Sequence, residues 1–263
     1  MEILRFTVSG LMACYRMPYI NKNCYFTYGN IHKNALIGML GALLGYGGYT
    51  QQYKKKYGYN KIPPKKTGEF TEESYPEFYE RLWPVKISIL PKYTDRAIPR
   101  NMISFNNSTG AASTEEGGNL IVTEQVLERP AWEIAVLIDC EEAEKIKDYI
   151  VNRKGIFFPY LGRNDYPANI SDISVEEAII EDKSFGRLHC LWPETVAEEN
   201  DDLFDFDEDL DAEDDFYYSE QLPYGMSGWT NLAYKKKFIY CNSTVSYKKP
   251  VYKLQDEKRI VFY

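Results

Sequence analysis

The sequence has little of what marks enzymes, metal proteins or secreted proteins. Its five cysteines are odd in number and none forms a C-x-x-C pair, which argues against a disulfide framework and against a zinc site. The two histidines, His32 and His189, stand far apart in the sequence. Neither a Walker-type phosphate loop nor a G-x-S-x-G nucleophile motif occurs. These absences predict reduced thiols, no metal, no cofactor and no catalytic residue.

Long hydrophobic runs are missing as well. No stretch approaches the roughly 18 uninterrupted apolar residues that a membrane helix needs. The N-terminal residues 1–16 lack both the basic start and the apolar run of a signal peptide. The sequence therefore predicts a soluble, cytoplasmic protein with no membrane partner.

The net charge of −8 is concentrated in one segment. Residues 194–220 contain 14 acidic residues and no lysine or arginine, so the rest of the chain has 31 basic and 25 acidic residues. The segment lacks the glycine turn and the spaced ligands of an EF-hand loop, which favours a solvated acidic arm. The remaining body is mildly basic, and such a body is compatible with nucleic-acid binding.

Aromatic residues make up 15% of the chain, and 23 of them are tyrosines. Tyrosine combines a flat apolar ring with a polar tip, which suits partner interfaces and stacking on bases. Tyrosine is also common in ordinary β-strands, so both interpretations stay open for any single tyrosine.

Periodicity predicts the first strand and the first helix. Residues 3–8 alternate in polarity, which is typical of a strand. A helix is predicted for residues 33–44, with Asn30 or Asn34 as its N-cap and Gly45 at its end. Gly38, Gly41 and Gly45 form a bare helix face, and because glycine weakens a helix by roughly 1 kcal/mol each, this face predicts close backbone approach.

The remaining elements suggest the fold class. Residues 93–123 form a polar segment that is predicted to be an extended hairpin, and residues 132–138 a second apolar strand. Asp139 and Glu142 have the spacing of a capping box, which predicts a helix that ends at Gly155. The order of strands and helices is compatible with an α+β, ferredoxin-like layer of sheet and helices. A short helix is predicted at 72–82, and short strands at 85–90, 238–240, 245–247, 251–254 and 259–262.

Several loops offer cations and aromatics for RNA. The N-terminus of the helix at 33–44 presents free N–H groups and a positive dipole end, which attract phosphate. Arginines and tyrosines in the neighbouring loops suit phosphate contacts and base stacking. The candidate RNA-binding residues are Arg16, Tyr19, His32, Lys33, Asn34, Arg96, Arg100, Tyr160, Arg163 and Asn164.

Three segments together carry a family resemblance. They are Cys14-Tyr15-Arg16-Met17-Pro18, the glycine-rich helix from Asn34 to Gly45, and Pro159-Tyr160-Leu161-Gly162-Arg163-Asn164 followed by Ala168. This pattern resembles the CRISPR-associated Cas five family of the RAMP superfamily, and it is most similar to the type I-B branch. The resemblance covers about residues 1–172.

The resemblance implies a fold and a role. The fold would be a ferredoxin-like RAMP domain at residues 1–185 with a β-hairpin thumb at about 92–128, followed by a small β-rich region at 186–263 that carries the acidic insert 194–220. The protein would be a non-catalytic subunit of the Cascade interference complex, acting in defence against foreign DNA. It would bind the 5′ handle of the CRISPR RNA, cap the filament of backbone RAMP subunits and dock the large subunit. Target DNA would be contacted indirectly, through the complex.

Two other hypotheses remain open. In type I-C systems a branch of this family cuts precursor RNA without a metal, using Tyr, Lys and His. His32, Lys33 and Tyr28 are close in this sequence, but their spacing does not match that branch. The other hypothesis is a protein-interaction module whose acidic arm binds a basic partner.

Overall fold

The computed structural model describes residues 1–19, 24–58, 72–93, 97–106, 120–181, 185–197 and 216–263. The fold is α+β, and its named strands pair antiparallel. In chain order the elements are β1 (Glu2–Ser9), β2 (Met12–Ala13), α1 (Lys33–Leu44), α2 (Tyr49–Tyr57), α3 (Glu77–Leu82), β3 (Ile87–Pro91), β4 (Arg100–Asn106), β5 (Ile121–Glu128), β6 (Ala131–Leu137), α4 (Glu141–Val151), β7 (Asn169–Glu177), β8 (Ile179–Glu181), β9 (Phe185–Arg187), β10 (Trp192–Pro193), a 3₁₀ turn (Glu194–Val196), β11 (Tyr217–Met226), β12 (Ala233–Cys241), β13 (Thr244–Ser246), β14 (Val251–Lys253) and β15 (Arg259–Ile260).

The central sheet has the strand order β3-β6-β1-β7. The alternation that predicted β1 is confirmed: Leu4, Phe6 and Val8 are buried under α1 and α4, whereas Ile3 belongs to a second core on the opposite face. Strands from the C-terminal part of the chain cover that second face. Because two apolar layers enclose it, the sheet holds α1 and the loops around it on a rigid base.

Helix α1 has the predicted bounds but a different cap. The Nδ1 atom of His32 accepts a hydrogen bond from the Ala35 N–H at 3.2 Å, and Gly45 ends the helix in a left-handed conformation with φ 80°. Asn30 and Asn34 were the wrong N-cap candidates. The side chain of Asn30 instead accepts a hydrogen bond from the Trp132 indole at 2.9 Å, so Asn30 is part of the buried core.

The glycines of α1 serve two different purposes. A Cβ atom at Gly41 would lie 2.5 Å from Phe78 Cβ, so this glycine allows α3 to pack closely against α1. A Cβ at Gly38 would meet only the ring edge of Phe78, at 3.8 Å. A side chain at Gly38 would therefore make only ordinary van der Waals contact, so this glycine is not required by a tight contact.

The long polar segment forms a hairpin, as expected, in the part that the structure describes. β4 pairs with β5 over Arg100–Asn106, and β2 continues the same small sheet in the order β2-β5-β4. Residues 107–119, where the predicted tip falls, lie outside the described residues.

Helix α4 begins differently from the capping-box prediction. Its N-cap is Cys140, whose side chain makes no capping hydrogen bond. The carboxylate of Asp139, the predicted cap, instead accepts a hydrogen bond from Lys86 Nζ at 2.6 Å. Glu142 accepts one from Arg81 at 3.2 Å instead of capping the helix. The helix also ends at Val151, before Gly155.

The C-terminal part forms several small sheets, including β10-β12-β11. Both ends of the predicted acidic insert 194–220 lie in regular structure. Glu194 lies in the 3₁₀ turn and pairs with Lys237 at 2.7 Å, and Glu220 lies within β11. Residues 198–215 are outside the described part. Leu222 of β11 and Trp192 of β10 belong to different cores, so the C-terminal strands support both faces of the sheet.

The division at residue 185 stays a prediction. Within the described ranges, none of the helices is long and apolar enough to cross a membrane.

Candidate nucleic-acid interface

A cleft of about 690 Å³ runs over α1, and we call it the α1 cleft. Its floor is the face of α1 that carries Ala35, Gly38 and Ala42. Because these residues have small side chains or none, the helix backbone itself forms the bottom of the cleft. The walls are Arg16, Pro18, Tyr19 and Tyr28 on one side, Phe157, Phe158, Pro159, Tyr160 and Gly162 on another, and Pro223, Met226, Asn231 and Ala233 from the β11–β12 hairpin.

Half of the predicted RNA-binding residues meet around this cleft. These are Arg16, Tyr19, His32, Asn34 and Tyr160, which come from three separate parts of the chain. Tyr19 is 66% exposed and Tyr160 46% exposed, so both rings are accessible to a ligand. The fold thus brings together the loop after β2, the start of α1 and the loop before β7.

A buried carboxylate supports the arginines of the interface. Glu124 of β5 is fully buried, and its Oε2 atom accepts hydrogen bonds from Arg16 Nη2 at 3.2 Å and from Arg163 Nη1 at 2.8 Å. Its Oε1 atom accepts one from the Tyr166 hydroxyl at 3.2 Å. The Arg16 guanidinium also lies 3.5 Å from the centre of the Tyr25 ring. Both arginines are therefore held in fixed positions by charge-assisted hydrogen bonds.

A close backbone contact joins the two loops. Gly162 has φ 84°, and a Cβ atom there would lie 1.9 Å from the carbonyl oxygen of Cys14. The Cys14 N–H also donates to the Leu161 carbonyl at 3.1 Å. Arg16 and Tyr160 belong to one surface because of this contact.

His32 lines the cleft but carries no positive charge near neutral pH. Burial lowers its pKa to about 3. Since Nδ1 accepts the helix-capping hydrogen bond, the proton of the neutral ring is on Nε2. The rings of Tyr15 and Tyr28 contact His32 edge-on. His32 therefore caps α1 and offers at most one N–H donor to a ligand.

Lys33 is directed away from the cleft. Its Nζ donates to the main-chain oxygen of Tyr263 at 2.9 Å and lies 4.4 Å from the centre of the Trp83 ring. The residue is 4% exposed, and burial lowers its pKa from the usual 10.5 to about 8. In this position Lys33 joins the start of α1 to Tyr263, and its buried ammonium group contacts no surface ligand.

Replacing Lys33 with methionine should change how stability depends on pH. Between about pH 8 and 10.5 the unfolded chain binds a proton at Lys33 more strongly than the folded chain does, so wild-type stability should rise with pH. The methionine variant lacks this group, so the stability of wild type relative to the variant should increase over that window by up to about 3 kcal/mol. Urea unfolding of both proteins at pH 7 and pH 10 measures it. Tyrosine ionisation cancels in the comparison, and a difference that does not vary with pH would contradict the assignment.

The other predicted residues lie elsewhere. Arg100 is 3.7 Å from the carboxylate of Glu220, which also accepts a hydrogen bond from the Gly29 N–H at 2.9 Å. Asn164 is exposed beside Arg163 but does not line the cleft. Arg96 falls outside the described residues. That these residues bind RNA stays a prediction.

Lys235 and Phe158 also lie at the cleft, although neither was among the predicted residues. The Nζ atom of Lys235 lies 4.3 Å from the centre of the Tyr19 ring, which adds a second cation at the wall that contains Arg16. Its signal was the run Lys235–Lys236–Lys237 beside Tyr234, but only the β11–β12 hairpin brings it to the cleft. Phe158 is 95% exposed, and the pair Phe157–Phe158 was its signal.

Metal ligands are not grouped in this surface. Across the ranges that the structure describes, no set of three or more His, Cys, Asp or Glu side chains is placed to hold a metal ion. The five cysteines are free thiols, and burial raises the pKa of Cys14 to about 12, which keeps it protonated. The chemistry available at the α1 cleft is that of arginine, lysine, aromatic rings and helix backbone.

Comparison with known proteins gives structural neighbours only. No protein-family model and no curated protein matches the chain. A chain of a "CRISPR RNA-guided surveillance complex" is similar with 13% identity and a TM-score of 0.47, over 94% of this chain and 91% of that chain. A CRISPR protein from Archaeoglobus fulgidus has 10% identity and a TM-score of 0.46, over 99% and 98%. A chain of a Type III-B Cmr-beta complex bound to cognate target RNA has 11% identity and a TM-score of 0.44, over 92% and 86%. These neighbours are CRISPR-associated proteins, and at such identities and scores the likeness does not assign a function.

Proposed function

We propose that this chain is a non-catalytic, RNA-binding subunit of a type I CRISPR interference complex. One observation carries the proposal: the three sequence segments that resemble the Cas five family all line the α1 cleft. Arg16 comes from the first segment, Asn34 and Gly38 from the second, and Tyr160 and Gly162 from the third. A concave surface lined mostly by apolar and aromatic side chains with a few polar groups is the usual form of a ligand site.

The strand order supports the proposed fold. A βαββαβ unit with all neighbouring strands antiparallel gives the order that β3-β6-β1-β7 has here, with α1 and α4 in the crossovers. We therefore interpret the central sheet as a ferredoxin-like RAMP domain. The β4–β5 hairpin takes the place of the thumb.

The surface chemistry favours single-stranded RNA. Arg16 and Lys235 supply positive charge, and Tyr19, Tyr160 and Phe158 supply exposed rings. Single-stranded nucleic acids bind to such combinations because every base has a face that stacks on an aromatic ring, while cations follow the phosphates. In the proposed role the ligand is the 5′ handle of the CRISPR RNA. The backbone RAMP subunit and the large subunit are the protein partners, and target DNA is contacted through them.

The test of this role is purification of the tagged protein from its native host. Short RNAs that share one repeat-derived 5′ end, together with a repeated backbone subunit and a large subunit, are the expected result. Recovery of the protein with neither RNA nor these subunits would reject the proposal.

Replacing Arg16 with alanine should weaken RNA binding in a salt-dependent way. Loss of one charge-assisted phosphate contact should lower affinity by roughly tenfold or more. It should also reduce the slope of log affinity against log salt by about 0.7 for a single strand. Fluorescence anisotropy with labelled repeat RNA at several salt concentrations measures both effects.

The matched control for Arg16 is Arg187→Ala. Arg187 is an exposed arginine on β9 that does not line the α1 cleft. Equal losses in both variants would mean that general positive charge, not the α1 cleft, binds the RNA.

We also propose that the chain does not cut RNA. His32 is a poor general base, because its pKa is about 3 and its Nδ1 lone pair already caps α1. Purified protein should leave precursor repeat RNA intact on denaturing gels. The variants His32→Ala and His32→Asn are the controls, and the asparagine keeps a side chain that can cap α1. If the wild type cleaves the RNA and both variants lose the cleavage, the endoribonuclease hypothesis would replace this one.

A further inference from the structure

Three consecutive apolar side chains are exposed at one edge of the α1 cleft, and we call them the aromatic ridge. Ile156, Phe157 and Phe158 are 59%, 61% and 95% exposed. The segment is nevertheless held in place: the Ile156 N–H donates to the Leu43 carbonyl at 2.9 Å. A fixed, exposed run of large apolar residues is unusual on a soluble domain and indicates a binding surface.

The aromatic ridge separates two hollows. Two residues of the ridge, Phe157 and Phe158, line the α1 cleft on one side together with the next residue, Pro159. The same side chains line a second groove of about 260 Å³ on the other side. The floor of this second groove comes from the end of α1, from α4 and from β7, and includes Leu43, Ile150 and Ile173. One continuous surface therefore runs from the α1 cleft, over two phenylalanine rings, into the second groove.

The polar edge of the second groove is basic. Arg153 and Lys154 line it, and none of the described lining residues is acidic. Arg153 is exposed and has φ 52°, while Lys154 pairs with Asp148 at 2.9 Å. Cations thus lie on both sides of the aromatic ridge, with Arg16 and Lys235 on the side of the α1 cleft.

Nucleic acid fits this arrangement better than protein does. An apolar hollow with a flat aromatic wall can hold the face of a base, and a guanidinium at its rim can donate hydrogen bonds to the adjoining phosphate. A protein partner would explain the exposed apolar ridge alone, but not its position between two basic hollows.

We propose that the second groove binds one base of the RNA strand that continues beyond the α1 cleft, with Phe158 as the stacking platform and Arg153 as the phosphate contact. This inference rests on the proposed RNA-binding function and extends it to a further subsite. The ligand is a nucleotide of single-stranded RNA, bound through its ring face and its phosphate. Stacking of this kind does not require a particular base.

The experiment uses the full chain and oligouridylates of increasing length in fluorescence anisotropy. Phe158→Ala should lower the affinity of the longer strands between roughly fivefold and a hundredfold, because one base loses its stacking partner. Arg153→Ala should leave the shortest strand that binds unaffected, because Arg153 lines only the second groove and that strand occupies only the α1 cleft. Phe158→Trp should restore binding, and Arg153→Ala should flatten the salt dependence of the longer strands alone.

A matched control and a direct placement complete the design. Phe185→Ala removes an equally simple side chain, 61% exposed, on β9. It should bind every strand as wild type does. A strand with 5-iodouridine at its extended end should cross-link to the peptide that contains Phe157 and Phe158.

The outcomes separate the two proposals. If Phe158→Ala and Arg153→Ala both bind all lengths as wild type does, or if the cross-link falls outside the aromatic ridge, the subsite is rejected while the α1 cleft remains. If no oligouridylate of any length binds wild type, the proposed function fails together with the subsite.

Discussion

Replacement of Gly162 with alanine should lower the free energy of unfolding by more than about 3 kcal/mol, because two costs add at one residue. The backbone φ of 84° is left-handed, which costs a residue with a Cβ atom roughly 1–2 kcal/mol. The new Cβ would also lie 1.9 Å from the carbonyl oxygen of Cys14, which is backbone and cannot rotate away. The loop must therefore move, and urea unfolding followed by circular dichroism measures the loss.

Gly58→Ala provides the matched control for Gly162. Gly58 has nearly the same φ, 85°, but no described atom lies within 4 Å of its Cβ position. It should cost only backbone strain of roughly 1–3 kcal/mol, because φ 85° with ψ 158° is a conformation that essentially only glycine adopts. Similar losses in both variants would mean that the contact between Gly162 and Cys14 contributes nothing to stability.

The Gly162→Ala variant also tests how the walls of the α1 cleft are held together. Gly162 is the point where the loop of Tyr160 touches the loop of Arg16, at the carbonyl group of Cys14. If that contact opens, the two walls separate, and RNA affinity should fall even under conditions in which the protein remains folded. Gly58→Ala should keep wild-type RNA affinity, since Gly58 lies outside the cleft.

Local patterns were sufficient to predict β1, the bounds of α1 and the presence of a hairpin. These features depend on alternation, helix spacing and a terminal glycine such as Gly45, which act over a few residues. The caps were predicted wrongly because tertiary contacts compete for the same side chains. Trp132 engages Asn30, and Lys86 engages Asp139, so His32 and Cys140 occupy the cap positions instead.

The candidate site was only partly predictable for a similar reason. The sequence places Lys33 at a helix N-terminus, where a cation near phosphate is plausible, but its direction depends on the distant residues Trp83 and Tyr263. The reverse holds for Lys235: the local run of lysines does not indicate that it belongs to the cleft, and the pairing of β11 with β12 brings it to Tyr19. Long-range pairing decides which charged side chains share a surface.

Removal of the Glu124 carboxylate should have the second large effect. Glu124→Ala removes the buried negative charge that the guanidiniums of Arg16 and Arg163 both contact. Because these two side chains are 44% and 26% exposed and water can solvate them, the loss should be about 1.5–3 kcal/mol, as for hydrogen bonds to a charged group. Glu124→Gln keeps the side-chain volume and one acceptor oxygen, so its loss should be smaller. Urea unfolding of the three proteins gives the order wild type, Gln, Ala.

Glu128→Ala provides the matched control on the same strand. Glu128 is exposed, and its Oε1 atom accepts a hydrogen bond from Asn101 at 2.9 Å. Exposed polar contacts of this kind contribute about 1 kcal/mol or less. If Glu124→Ala is no more damaging than Glu128→Ala, the two arginines do not depend on the buried carboxylate.

The consequence for RNA follows from where Glu124 lies. It belongs to β5, a strand of the hairpin, whereas Arg16 and Arg163 belong to the two loops beside the α1 cleft. One carboxylate therefore ties the hairpin to both loops, and its loss should release both arginines at once. RNA affinity of Glu124→Ala should fall further than that of Arg16→Ala, while Glu128→Ala binds normally.

In a double-mutant cycle, Glu124 should couple more strongly to Arg163, at 2.8 Å and less exposed, than to Arg16, at 3.2 Å. Absent coupling to both arginines would show that they are positioned independently of Glu124, and equal coupling to both would contradict the expected order.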